Sequence, residues 1–327
     1  MLSDKHGRTI SYLRLAVTDR CNLRCYYCMP ECGIDFVQRK ELLSYEEMLR
    51  LAQIHADMGV NKVRITGGEP FVRKDLLPFI NRLSAIPGID EVHVTTNGTV
   101  SAGMVSQFKE AGISGINLSL DTLRKDRFFE ITRRDQFDEV MRTFHQLLEC
   151  GIPVKINMVL MNGVNDDELV DMALLARDYP VDVRFLEEMP FNGNGAGNKH
   201  LLSARMIEER LHQAFEGITK LHSPHHETAT RFSVPEFKGN VGIIPSFTRT
   251  ICGGCNRIRV TPTGQLKTCL YDNGVLDLKA LLRGTADDSF IAQTIRSAVD
   301  KKPKDGFEAE RQIQESSNRE SMATIGG

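Results

Sequence analysis

The 327 residues are 41% hydrophobic and 26% charged, with a formal net charge of −2. This is globular composition, long enough for one large domain or a domain with a smaller companion, and able to leave a deep pocket in a sizeable core. Near neutrality gives no electrostatic case for nucleic acid or an anionic membrane, no apolar run approaches the ~20 residues of a bilayer span, and the start MLSDKHGRTI has no signal-peptide core, so a cytoplasmic protein is expected.

From about residue 11 to 190, short apolar runs alternate with longer amphipathic stretches. Strands are predicted at Tyr12–Thr18, Lys62–Thr66, Glu91–Thr96, Gly115–Leu120, Val154–Leu160 and Val181–Glu187. Between them, apolar residues recurring at three and four predict helices over Ser44–Met58, Lys74–Ala85, Ala102–Ala111, Gln136–Cys150 and Asp167–Asp178. Ser44 and Glu47 have capping-box spacing, and Gly59, Gly112 and Gly151 stand just past helix ends, where a left-handed turn is needed. Six strand–helix units imply a parallel α/β sheet with right-handed crossovers and reactive groups at the strand C-termini. Each chemically unusual segment lies at such an end. A cysteine cluster follows the first strand, Gly67-Gly68-Glu69-Pro70 the second and Thr95-Thr96-Asn97-Gly98 the third, while Ser119 and Asp121 end the fourth.

Beyond the Gly-rich 191–198 segment, which is no Walker loop because no Gly-Lys-Ser/Thr follows, the alternation breaks down. One helix (Ser203–Phe215), a polar His-rich loop and a few short strands are expected, forming a smaller C-terminal region that closes the open side of the sheet. The stretch from Lys301 to Gly327 is polar and expected to be loose except at its end.

Eight cysteines in a reducing compartment point to metal or redox chemistry more than to disulfides. Cys21, Cys25 and Cys28 have Cys-x3-Cys-x2-Cys spacing, and three thiolates on a short loop can hold three irons of a 4Fe–4S cubane. The fourth iron would then be open to a small chelating molecule. Spacing alone leaves two competitors: a zinc site completed by Cys32, and a cluster held by all four cysteines. Cys252, Cys255 and Cys269 form a second triplet. It suits another open cluster, or a zinc ribbon completed by one of His222, His225 or His226.

The first triplet, with an aromatic residue before its last cysteine and a strand ending Thr18-Asp19-Arg20 ahead of it, resembles the radical S-adenosylmethionine superfamily. Gly-Gly-Glu-Pro (67–70) is similar to that superfamily's methionine-binding motif, whose backbone and acidic residue receive the cofactor's amino group. The resemblance implies an incomplete (β/α)6 TIM-like barrel over residues 1–195, a C-terminal region over 196–327, and Cys32 as a bystander. Cys-x2-Cys-Asn-Arg-x-Arg with a third cysteine and a terminal Gly-Gly further resembles the GTP 3′,8-cyclase family of molybdenum-cofactor biosynthesis, as do Asn-Leu-Ser-Leu-Asp and Glu-Met-Pro-Phe-Asn-Gly-Asn.

That resemblance implies two 4Fe–4S clusters, on Cys21/Cys25/Cys28 and on Cys252/Cys255/Cys269. It implies S-adenosylmethionine held by Tyr27, Gly68, Ser119 and Met189. GTP would be held by Arg14, Arg64, Thr95, Lys155, Arg257, Ile258 and Arg259, and Gly326 and Gly327 would enter the active site. Expected partners are an electron donor such as flavodoxin or ferredoxin, a downstream cyclic pyranopterin monophosphate synthase and a homodimeric copy. The alternatives are another radical enzyme with an auxiliary cluster, or a non-catalytic zinc-binding protein. Ser321-Met322-Ala323 departs from the family's usual Arg-Pro-Met, which puts the tail's docking contacts in question.

Overall fold

The structure, a computed structural model, describes residues 1–29, 33–189, 201–222, 226–313 and 322–326. Cys32, His225 and Gly327, and the 191–198 segment, lie outside the described residues.

Six strands run in the predicted order: β1 (Tyr12–Ala16), β2 (Lys62–Thr66), β3 (Glu91–Thr96), β4 (Ile113–Ser119), β5 (Val154–Leu160) and β6 (Asp182–Glu187). Each pairs in parallel with the next. The C-terminal half adds β7 (Thr219–Lys220), β8 (Thr230–Ser233), β9 (Asn240–Ile244), β10 (Arg257–Val260), β11 (Gln265–Lys267) and β12 (Leu276–Asp277). Among the described residues the spatial order is β12-β11-β10-β1-β2-β3-β4-β5-β6-β9-β8-β7, an unclosed sheet. The C-terminal region thus extends both edges of the partial barrel, β10 parallel to β1 and β9 parallel to β6.

Helices cover the outer face because their apolar stripes match the sheet. In Phe137–Glu149, Val140, Phe144 and Leu147 are buried at i, i+4 and i+7, each worth roughly 1.5–3 kcal/mol relative to exposure. Helix Tyr45–Asp57 starts on the expected capping box, with Glu47 N–H donating to Ser44 Oγ at 3.1 Å and Ser44 N–H to Glu47 Oε2 at 2.7 Å. Helices Leu169–Asp178 and Ala204–Ala214 also fall where expected.

Three segments differ from expectation. Ala102–Ala111 is not an α-helix. Gly103, Val105 and Ser106 are weak helix formers, and the chain makes a 3-10 helix over Ala102–Gln107 before turning. An unpredicted helix, Lys125–Thr132, follows β4. The polar stretch after Lys301 is ordered through Gly306–Ile313, a helix with Ala309 fully buried. No helix among the described residues is long and apolar enough to cross a membrane.

Candidate active site

The sheet and the C-terminal region border a cavity of about 770 Å³ that runs from the strand N-termini, at Ser11, Asn61 and Asp90, to their C-termini, at Cys21, Gly67 and Asn97. Its wall includes Cys21, Cys25 and Cys28 on one side and Cys252, Cys255 and Cys269 on another. All six are free thiols. The first loop is shaped by the unpredicted helix: Arg24 N–H donates to Thr132 O at 2.9 Å and Tyr26 N–H to Ile131 O at 3.2 Å. A turn then brings Cys28 N–H onto Cys25 O at 3.0 Å. Asn97 reaches in from the end of β3, its Nδ2 3.7 Å from Cys21 Sγ and 3.0 Å from Asn22 Oδ1.

Burial raises Cys21 to about 11 and Cys25 well above the ordinary thiol value. Iron would reverse this, because a metal holds a coordinating thiol deprotonated. Cys255 behaves differently. Burial raises it, but the Lys302 and Arg257 charges outweigh burial and bring it down to about 6. The Cys269 loop is pinned by Asp272 Oδ2, which accepts from Thr268 N–H and Cys269 N–H, each at 2.7 Å.

Among the described residues, no three His, Cys, Asp or Glu side chains gather around one ion position. A cluster does not require that, since each of its irons takes one thiolate. Two triplets of half-buried thiols on one cavity therefore fit open iron–sulfur clusters.

Glycine is sterically required at the second motif. A Cβ on Gly67 would overlap the Thr18 carbonyl, and one on Gly68 would overlap Arg20 O. The acidic residue of the motif, Glu69, is engaged within the protein. Its fully buried carboxylate accepts from Asn97 N–H at 2.7 Å, Thr96 Oγ1 at 2.8 Å and Phe71 N–H at 3.1 Å. All three donors are internal, so the acidic residue ties β2's end to β3's end, and burial raises it to about 7. Gly68, Ser119, Tyr27 and Met189 do line the cavity. Tyr27 Oη donates to Asp121 Oδ2 at 2.7 Å, and Met189 Sδ accepts from Tyr271 Oη at 3.3 Å.

The cations are placed by strand register. Arg14 on β1 is level with Arg64 on β2 and with Arg259 on β10, so three arginines form one row across three strands. Tyr12 and Arg257 occupy the row two residues back. Arg14, Arg64, Arg257 and Arg259 all line the cavity, together with Thr95 and Lys155. Ile258 does not; it points into the core, fully buried, as the alternation of a strand demands. Burial and the Arg259 charge hold Arg14 well below the usual guanidinium value, and Arg14 Nε is buried without a hydrogen-bond partner. Arg64 donates from Nε to Tyr12 Oη and contacts Thr95 Oγ1 at 3.5 Å. Burial would raise Tyr12, but Arg64 and Arg14 bring it down to about 8. Lys155 is partly neutralised, 3.4 Å from Asp182.

Two cavity residues escape sequence reasoning. Tyr12 sits among the arginines, and Arg184 on β6 has Nε and Nη2 without partners. Their only sequence signal is a polar position on a strand. At the tail, Ile325 is buried and Gly326 O accepts from Arg259 Nη1 at 2.7 Å.

A profile of the Radical SAM superfamily matches residues 15–176, and one described as Molybdenum Cofactor Synthesis C matches 181–308. The chain is 41% identical to the mitochondrial GTP 3′,8-cyclase of Arabidopsis thaliana, over all of this chain and 84% of that protein. It is 39% identical to the GTP 3′,8-cyclase of Moorella thermoacetica, over 92% and 94% of the two chains. It is 42% identical to Molybdenum cofactor biosynthesis protein 1 of Bos taurus over 92% of this chain, and spans about half (48%) of that longer relative. Among solved structures, Streptococcus suis SuiB shares the fold at 17% identity, with a TM-score of 0.62 over 90% of this chain and 69% of that one. With cyclase-named relatives matched over most of their length, the chain belongs to the GTP 3′,8-cyclase family of the radical SAM superfamily.

Proposed function

We propose that the chain is a GTP 3′,8-cyclase, closing a C3′–C8 bond in GTP to give (8S)-3′,8-cyclo-7,8-dihydroguanosine 5′-triphosphate in molybdopterin biosynthesis. One observation carries this reading: both cysteine triplets and a row of three arginines border a single cavity. Among the described residues, Arg14, Arg64 and Arg259 have no carboxylate within ion-pair distance, so the row suits a polyanion from outside.

Cys21, Cys25 and Cys28 would hold a cluster that, given one electron from the donor, would supply reductive carbon–sulfur cleavage of S-adenosylmethionine and so the radical chemistry that starts at H3′ of GTP. The chain's own residues bind and orient. Tyr27, Gly68, Ser119 and Met189 border the S-adenosylmethionine position. Arg14, Arg64, Arg257, Arg259, Lys155 and Thr95 hold the triphosphate, and Ile258 contributes through its backbone. Cys252, Cys255 and Cys269 would hold the second cluster, which would supply an anchor for the guanine. Gly326 and Gly327 close the site beside the substrate and exclude water.

Residues 1–195 form the radical SAM partial barrel, and 196–327 the C-terminal region with the second cluster and the Gly-Gly tail. Free cysteines suit a reducing, cytoplasmic setting. The electron comes from a small donor such as flavodoxin or ferredoxin, a cyclic pyranopterin monophosphate synthase consumes the product, and a homodimer is the assembly to test. The decisive experiment is anaerobic incubation of reconstituted protein with GTP, S-adenosylmethionine and reductant. The cyclised triphosphate together with 5′-deoxyadenosine supports the reading, while cofactor cleavage that ignores GTP sinks it.

A further inference from the structure

The second triplet comes from two segments: the loop before β10, where Cys255 N–H donates to Cys252 O at 3.2 Å, and the turn after β11 that carries Cys269. What joins them is a turn far along the chain. Lys302, 2% exposed, follows the helix Asp288–Asp300 and points its ammonium into the protein. Its Nζ donates to Arg257 O at 2.9 Å, two residues after Cys255, and to Thr268 O, immediately before Cys269. Arg8 serves the remaining cysteine. Its Nη1 donates to Cys252 O at 3.0 Å and to Lys304 O at 2.7 Å, and Nη2 to Pro303 O at 2.7 Å. Asp4 fixes Arg8 in turn, with Oδ2 2.6 Å from Nε and Oδ1 accepting from Arg8 N–H at 3.1 Å.

We propose that Arg8 and Lys302 are positioning residues for the second cluster, bracing both cysteine-bearing segments on the 302–304 turn and placing a buried ammonium beside the thiolates. This rests on the second cluster proposed above.

A buried ammonium is costly unless an opposite charge faces it. Lys302 is held by two carbonyls and, among the described residues, by no carboxylate. A thiolate-ligated cluster supplies the missing negative charge, and nearby charge and hydrogen bonding set the potential of such a centre.

The test uses the full chain with Cys21, Cys25 and Cys28 changed to Ala, so that all bound iron belongs to the second site. Lys302→Met in this background should lose iron to a chelator roughly 10–100-fold faster, the usual range for removing a partner behind a metal ligand. The midpoint potential of the remaining cluster should become more negative, a shift that a purely structural lysine would not give. Iron retention and potential both at wild-type values overturn the proposal. If Lys302→Met does not fold, as judged by helix content, Arg8→Lys decides. It keeps the charge but lacks the fork spanning Cys252 O, Pro303 O and Lys304 O. Faster iron loss supports the brace and unchanged retention overturns it. A background chain that binds no iron even with Arg8 and Lys302 intact refutes the second cluster itself, an outcome distinct from a failed brace.

Discussion

Arg259 Nη1 donates to the carbonyl of Gly326 across 2.7 Å, joining a cavity-wall arginine to the tail of the chain. Gly326 has φ +79, and a Cβ there would stand 2.6 Å from Thr66 Oγ1 and 2.7 Å from Ala16 Cβ. Both the backbone and the space therefore require glycine. Gly326→Ala should push the tail off Arg259 while leaving the cysteines untouched. Iron content and melting temperature should match wild type, and cyclisation should fall by roughly 100-fold, the scale of an ångström-sized misplacement at a reacting centre. Product formation at the wild-type rate in quantitative assays would show that the tail merely packs there.

The two thiol triplets make separable contributions. Cys21→Ala, Cys25→Ala or Cys28→Ala should abolish S-adenosylmethionine cleavage. Cys252→Ala, Cys255→Ala or Cys269→Ala should preserve reductive cleavage but end cyclisation, because the guanine loses its anchor. Separate quantification of 5′-deoxyadenosine and cyclised nucleotide distinguishes these outcomes. A Cys269→Ala enzyme that still cyclises GTP would reduce the second triplet to a structural role.

Much of the sheet was legible because each strand's core-facing side chains form short apolar runs separated by amphipathic helices. The thiol triplets and Gly67-Gly68 were legible because chemistry and sterics admit few substitutes there. Glu69 shows the limit. The motif names an acid, but only three dimensions reveal that its oxygens accept from Phe71, Thr96 and Asn97. Tyr12 and Arg184 were invisible for a similar reason, since a polar residue on a strand looks the same facing a cavity or solvent. The helix Gly306–Ile313 was missed because its stretch is polar, and its order comes from tertiary bonds such as Arg249 Nη2 to Glu310 Oε2 at 2.8 Å.

His55 should impose a pH dependence on the stability of the metal-free protein. Its ring is fully buried in helix Tyr45–Asp57, with Nδ1 bonded to Leu51 O at 2.7 Å and Nε2 without a partner. Burial lowers its pKa from 6.5 to about 4. Between those values the unfolded chain binds a proton that the folded one refuses. The contribution is therefore complete above about pH 6.5 and is lost as pH falls towards 4. At one pKa unit per about 1.4 kcal/mol, it is on the order of 3 kcal/mol. Denaturant titrations from pH 4 to 7 should give a shallower slope for His55→Met than for wild type; parallel slopes would mean that the buried ring titrates normally.

The row Arg64–Arg14–Arg259 gives the last prediction, in which stability and binding move in opposite directions. Like charges directly opposite on neighbouring strands repel, and Arg14 stands between two of them. Its Nε is also buried without a partner. The free protein thus carries an arrangement that costs stability and that a triphosphate would relieve. Arg14→Met keeps the length of the side chain but removes the charge. It should leave the unliganded protein as stable as wild type or more so, because an unpaired cation leaves the wall. GTP affinity should drop by the equivalent of about 1.5–3 kcal/mol, the scale of hydrogen bonds to charged groups. That corresponds to roughly 10–100-fold in dissociation constant. Calorimetric titration with GTP, paired with thermal melts of the free protein, reads both quantities. Unchanged GTP affinity would remove Arg14 from the triphosphate site. Lower stability without GTP would instead show that the arginine row is held by the protein for its own sake.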